Sequence, residues 1–135
     1  MSVPNWQRGV NLLAVETRAV ELLSYSVRAV MQQNNFKLRF HYELGAPVVD
    51  LARSIFHNTV IANRTQPSTP EAVSRRRACF EEALRSSELL RAEINMNLWE
   101  FSVKPDCAKH WQSLIDAWRE ACFAWLRADR KKYGD

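Results

Sequence analysis

Helix breakers are scarce in this chain and fall where they leave four long stretches almost uninterrupted. Proline occurs only at positions 4, 47, 67, 70 and 105, and glycine only at Gly9, Gly45 and Gly134. Sheets joined by tight turns need far more of both residues. Leu, Ala, Arg and Glu dominate instead, and all four are good helix formers. At 135 residues the chain has room for one domain with a substantial core. The expected fold class is therefore all-α.

The first helical stretch is expected over 4–33. Val10, Leu13, Thr17, Val20, Ser24, Val27 and Met31 step alternately by three and four, which predicts the buried stripe, with Leu12, Leu23 and Val30 widening it. Asn34-Asn35 supplies a stop, because asparagine tolerates the left-handed geometry that ends helices. The second stretch, 36–63, carries Phe40, Leu44, Val48, Leu51, Ile55, Thr59 and Ala62 on one face. A kink is expected near 45–47, where Pro47 lacks the amide hydrogen that would bond to Glu43.

Residues 64–70 read as a loop, and the third stretch covers 70–101. Thr69 as N-cap with Pro70 at the first helical position gives one start; Ser68 and Glu71, at capping-box spacing, give another. Val73, Phe80, Leu84, Ser87, Leu90, Ile94 and Leu98 form its apolar face. Pro105 opens a fourth helix over 105–130, and Tyr133-Gly134-Asp135 reads as a frayed tail.

That last helix carries Trp111, Trp118 and Trp125, seven residues apart. Seven residues make almost two helical turns, so the three indoles leave from nearly one side and line a single seam with Leu114, Ile115, Ala121 and Cys122. Four such helices joined by short loops cannot each bury a stripe alone. Short loops favour antiparallel neighbours, and the expected architecture is an up-down-up-down four-helix bundle spanning 1–135.

Cys79, Cys107 and Cys122 are an odd set, and the opening MSVPNWQRGV lacks the apolar stretch of a signal peptide. Reduced thiols and a cytoplasmic location are expected. No run approaches the roughly 18 apolar residues that would cross a bilayer, so no membrane partner is expected. Cys107 and His110 can share a helix face, but no second ligand pair follows, and no metal or cofactor is expected.

No catalytic residues are expected either. His41, His57 and His110 sit in no nucleophile motif, and the chain has no glycine-rich phosphate loop. Glu-x-x-His pairs of a di-metal bundle do not occur. An alternative is a helical ribonuclease of the HEPN type, whose motif resembles Arg followed by His after four to six residues. Arg53 and His57 are separated by three residues, and Arg39 and His41 by one. A further alternative is a helical scaffold that binds proteins only.

The formal charge is +4, from fourteen arginines, five lysines and fifteen acids. Arginine's planar fork grips phosphate and carboxylate at two points. Arg75, Arg76 and Arg77 crowd the start of the third helix, with Arg91 further along. Three consecutive helical residues fan over about 200° and cannot all face one groove. Glu81, Glu82 and Glu88 lie close enough to pair with some of these arginines. Cations at a helix N-terminus oppose the macrodipole, so the cluster asks for a partner that supplies negative charge. Arg127, Arg130, Lys131 and Lys132 end the fourth helix, where cations are favoured anyway. An antiparallel bundle brings the start of helix three and the finish of helix four to one end. A combined basic surface follows, able to hold phosphates with marked salt dependence and little sequence preference. Lys37 and Arg39 add charge near the start of helix two.

Three short motifs occur in an order that resembles a known family. Phe36-Lys37-Leu38-Arg39-Phe40 followed by Leu44-Gly45 resembles a Phe-Pro-Lys…Arg-Phe…Leu-Gly run. Leu89-Leu90-Arg91 resembles a Leu-Arg element, and Ala124-Trp125-Leu126-Arg127 a closing Gly-Trp-Leu-Lys. The chain is in these respects similar to the accessory variability determinant (Avd) proteins of diversity-generating retroelements and to the four-helix-bundle proteins encoded in ribosomal-RNA intervening sequences. It lacks the proline after Phe36, its lysine-to-arginine spacing is one residue shorter, and Ala124 stands where glycine is usual.

The resemblance implies a homo-oligomer, a pentameric funnel of bundles, without a catalytic site. Such an assembly binds a reverse transcriptase and its template RNA, or DNA, and supports mutagenic complementary-DNA synthesis. The candidate binding residues are Arg75, Arg76, Arg77, Arg91, Arg127, Arg130, Lys131 and Lys132. The family motifs carry Arg91 and Arg127; the others come from the charge argument. An apolar flank for the ring is expected on helices two and four, from Phe36, Phe40 and Trp125.

Overall fold

In the computed structural model, which describes residues 10–32, 45–100 and 103–135, the chain forms four α-helices. They are α1 (Val10–Met31), α2 (Ala46–Arg64), α3 (Pro70–Glu100) and α4 (Pro105–Tyr133). α1 packs on α2 and α4, and α3 packs on the same two, closing a cycle of neighbours. Directions alternate: Glu16 near the start of α1 bonds Asn63 and Arg64 at the end of α2, while Tyr25 near the end of α1 bonds Cys107 at the start of α4. The expected all-α, up-down-up-down bundle is the observed fold.

The helix boundaries follow from local chemistry. Thr69 Oγ1 accepts the Ala72 amide at 3.1 Å, so Thr69 rather than Ser68 caps α3, and Pro70 occupies the first helical position. Lys104 is extended (φ −60°, ψ 137°) and Pro105 opens α4. Gly45 precedes α2 in right-handed geometry, with Pro47 in the first turn, where a missing amide hydrogen is harmless. The expected kink and the Asn34-Asn35 stop depend on positions outside the described residues.

Two sequence expectations are corrected. The tail is not frayed: α4 continues to Tyr133 and ends on Gly134, whose φ of +81° favours glycine and whose amide bonds Arg130 O at 2.8 Å. The larger correction concerns α1. Its buried residues are Val15, Ala19, Leu22, Ser26, Ala29 and Val30. Thr17, Val20, Ser24, Val27 and Met31, the row expected inside, lie exposed on the opposite face.

The reason lies across the bundle. Trp111, Trp118 and Trp125 are buried, and residues of this size need small partners opposite. The buried face of α1 includes three small residues, Ala19, Ser26 and Ala29, and Ser26 lies against Trp111. Each indole also has an acceptor for its N–H. Trp111 donates to Ser26 Oγ (2.8 Å), Trp118 to Thr59 Oγ1 (3.1 Å) and Trp125 to Asn63 Oδ1 (3.2 Å). Ser26 and Thr59 pass their own protons to the carbonyls of Leu22 and Ile55, each at 2.7 Å. The core therefore contains a ladder of three satisfied indoles rather than a purely apolar seam.

Several of the side chains that α2 and α3 bury are small: Ala52 and Ala62 on α2, Ala72, Ala83 and Ser86 on α3. They let the backbones approach, and the Ser54 and Ser86 hydroxyls bond across the interface at 3.0 Å. Phe80, also buried on α3, rests on Trp125 of α4 with ring centroids 4.4 Å apart.

Candidate functional site

The start of α3 and the finish of α4 meet at one end of the bundle, as antiparallel packing requires. The residues that join them are the arginines expected to face outward. Arg76 is 6% exposed. Its Nη1 donates to Asp129 Oδ1 at 2.9 Å, its Nε donates to Ala62 O at 3.3 Å, and its guanidinium carbon lies 4.5 Å from the centroid of Trp125. Arg77 donates from Nε to Asp129 Oδ2 at 2.7 Å and from Nη2 to Gly134 O. Asp129 thus spends one oxygen on each arginine.

This arrangement corrects the outward-facing arginine cluster. The negative charge demanded by three cations at a helix N-terminus is supplied to two of them by the protein itself. Arg91 is also engaged internally, with Gln112 Oε1 at 2.8 Å and with Asp116 Oδ1. The remaining candidates stay outside. Arg75 is exposed on the flank towards α2, beside a shallow groove lined by Asn58, Ile61, Thr65, Ala78 and Cys79. Arg127, Arg130, Lys131 and Lys132 are exposed along the last two turns of α4. Lys132 lies 5.5 Å from the Tyr133 ring centroid, a contact that leaves its charge accessible.

Asp129 is the residue that sequence reasoning missed. A signal for it existed: Ile115, Cys122 and Asp129 repeat every seven residues, so the acid continues a buried row. An ionised carboxylate at such a position requires cations, and the neighbouring helix end offers them.

Elsewhere the polar groups are quiet. Burial pushes the Cys122 thiol up to about 12 and also raises Cys79, so neither thiol is activated. Tyr25 is likewise pushed up to about 12, first by burial and then by its hydrogen bond to Cys107 Sγ at 3.3 Å. Burial alone would raise Glu16, but hydrogen bonds from Arg64 and Asn63 outweigh it and hold the carboxylate below its usual range. His57 and His110 are both exposed. Among the described residues no three His, Cys, Asp or Glu side chains gather as a metal site, and no helix is long and apolar enough to cross a membrane.

The apolar flank expected on helices two and four is also redrawn. Trp125 is buried, and Phe36 and Phe40 lie outside the described residues, as do Lys37 and Arg39. The exposed large apolar residues on those helices are Ile61, Phe123 and Tyr133, while α1 contributes Val20, Val27 and Met31. No family model, curated protein or solved structure matches the chain.

Proposed function

We propose that this bundle is a non-catalytic accessory subunit that holds an RNA polyanion, and through it a reverse transcriptase, on the basic end formed by Arg75, Arg127, Arg130, Lys131 and Lys132. The observation that carries the reading is the saturation of Asp129. Because Arg76 and Arg77 take both of its oxygens, this acid is not available to neutralise the exposed cations of α4. Those cations therefore present their charge to solvent, where phosphate oxygens can accept from them. The polymerase, the template RNA and a homo-oligomeric state come from the family resemblance. Arg127 is the one residue that belongs both to that resemblance and to the exposed set.

The test is a fluorescence-anisotropy titration of a labelled single-stranded RNA at several salt concentrations. Each phosphate neutralised on a single strand contributes about −0.7 to the slope of log K against log[salt]. Replacing Arg127, Arg130, Lys131 and Lys132 by glutamine should weaken binding and flatten that slope. Arg91→Gln should change neither. Adding a retroelement reverse transcriptase and its template then asks whether complementary-DNA synthesis depends on the same four residues. Salt-independent binding, or full activity of the quadruple variant, removes the reading.

A further inference from the structure

The face of α1 that points away from the core carries an apolar row at alternating spacings of three and four: Thr17, Val20, Ser24, Val27 and Met31, all exposed. Val20 is 49% exposed and Met31 65%. In heptad terms Thr17, Ser24 and Met31 occupy a positions, and Val20 and Val27 occupy d positions. An a/d row of this kind can serve as the seam of a helix pair, and among the described residues no other helix covers it. Its flanking charges are Glu21 and Arg28, both at e positions, seven residues apart on one side of the seam.

We propose that this seam pairs with the same seam of a second copy of the chain, α1 against α1 in antiparallel orientation. The charges select both orientation and register. A parallel pair would set Glu16 against the partner's Glu21, acid on acid. An antiparallel pair centred on Glu21 would set that residue against its own symmetry mate. Moving the crossing point towards the C-terminus removes the clash. Ser24 then packs on the partner's Val27 and Val20 on the partner's Met31, with each contact repeated by symmetry. Arg28 meets the partner's Glu21 twice across the two-fold axis. Within its own chain Glu21 is held only by the exposed Arg18, at 3.1 Å, and Arg28 forms no ion pair among the described residues. Both are free to be shared, because exposed pairs of this kind hold weakly. On the other side of the seam lies Leu23, half-buried, so that flank carries no charge opposing the pairing. Such an interface is isologous, as a two-fold dimer requires.

The contact spans positions 20 to 31, about 18 Å of helix, and falls below the roughly 1,200 Å² of a stable standard interface. The dimer should therefore dissociate on dilution. This inference does not depend on the RNA reading.

Sedimentation equilibrium over a wide concentration range tests it. The wild-type chain should shift between one and two protein masses. Arg28→Glu should raise the dimer dissociation constant about tenfold or more, as should Glu21→Arg, while the double variant Glu21→Arg/Arg28→Glu recovers dimerisation. Met31→Glu, on an exposed position, should weaken the dimer with helical circular dichroism unchanged. A constant monomer mass at high concentration overturns the proposal. So does a five-chain mass insensitive to these substitutions, or a charge swap that fails to rescue.

Discussion

Arg76 and Asp129 form an ion pair of 2.9 Å in which the arginine side chain is 7% exposed and the aspartate 2%. It ties the start of α3 to the last turns of α4 and places a cation over the Trp125 ring. A charge pair so far from water is held in place by its other bonds: Arg76 donates to Ala62 O, and Asp129 accepts from Arg77, which is itself tied to Gly134 O.

Asp129→Ala should therefore lower unfolding free energy by about 3–5 kcal/mol, because two buried or half-buried guanidinium groups lose their acid at once. Glu82→Ala breaks the exposed pair with Arg85 and should change stability by less than about 1 kcal/mol. Urea midpoints of the two variants give the comparison directly.

Thr59→Val keeps the shape of the side chain but leaves the Trp118 indole N–H buried without an acceptor. A loss of about 1–3 kcal/mol follows. Combining it with Trp118→Phe should cost less than the sum of the two single variants, since the second change removes the donor that the first has orphaned. A double-mutant cycle by denaturant titration measures that coupling.

Gly45 is buried, and a Cβ at this position would overlap the Val30 Cγ1 methyl. Its backbone is right-handed (φ −78°), so alanine meets no conformational objection. The clash alone should make Gly45→Ala destabilising by about 1–3 kcal/mol. Val30→Ala in the same chain clears the space, and the double variant should lose less than the two single losses added. Thermal unfolding of the three variants decides it.

Cys122 sets an alkaline limit on stability. In the unfolded chain its thiol ionises near its ordinary value of 9.0, whereas in the fold burial pushes it up to about 12. Between these values the unfolded state has lost a proton that the folded state keeps, so stability falls as pH rises, by about 1.4 kcal/mol per unit once the unfolded thiol is ionised. Below pH 8 the thiol contributes no slope. Tyr25, raised from 10.0 to about 12, adds to the loss above pH 10. Cys122→Ala should flatten part of the decline between pH 9 and 10 in unfolding measurements made across that range, the raised Cys79 thiol supplying a further part.

The sequence was a reliable guide wherever a single pattern had a single solution. The tryptophan heptad and the Pro105 start each specify a local geometry that needs no knowledge of the neighbours, and the structure holds both; at the third helix two starts were open, and the Ala72 amide on Thr69 decides between them. The apolar faces of α2 and α3 were legible for the same reason: Ile55, Thr59 and Ala62, and Phe80, Leu90 and Ile94, have no rival stripe on their own helices.

The candidate site was less legible. Periodicity locates Arg75, Arg76 and Arg77 on a helix and charge counting makes them basic, but neither says which one finds an acid. That depended on Asp129, more than fifty residues away.

By itself, then, the sequence determined four helices, their order and the antiparallel closure of the bundle, because helix propensity, caps and loop length are local quantities. It did not determine which of two apolar rows on α1 would face inward, since each obeys the same three-four spacing. Packing decided that: the inward row carries the small Ala19, Ser26 and Ala29, and Ser26 offers its hydroxyl to Trp111. The same tertiary fit buried Arg76 and half-buried Arg77, which composition had placed outside, because a carboxylate within the fold was near enough to replace water around them.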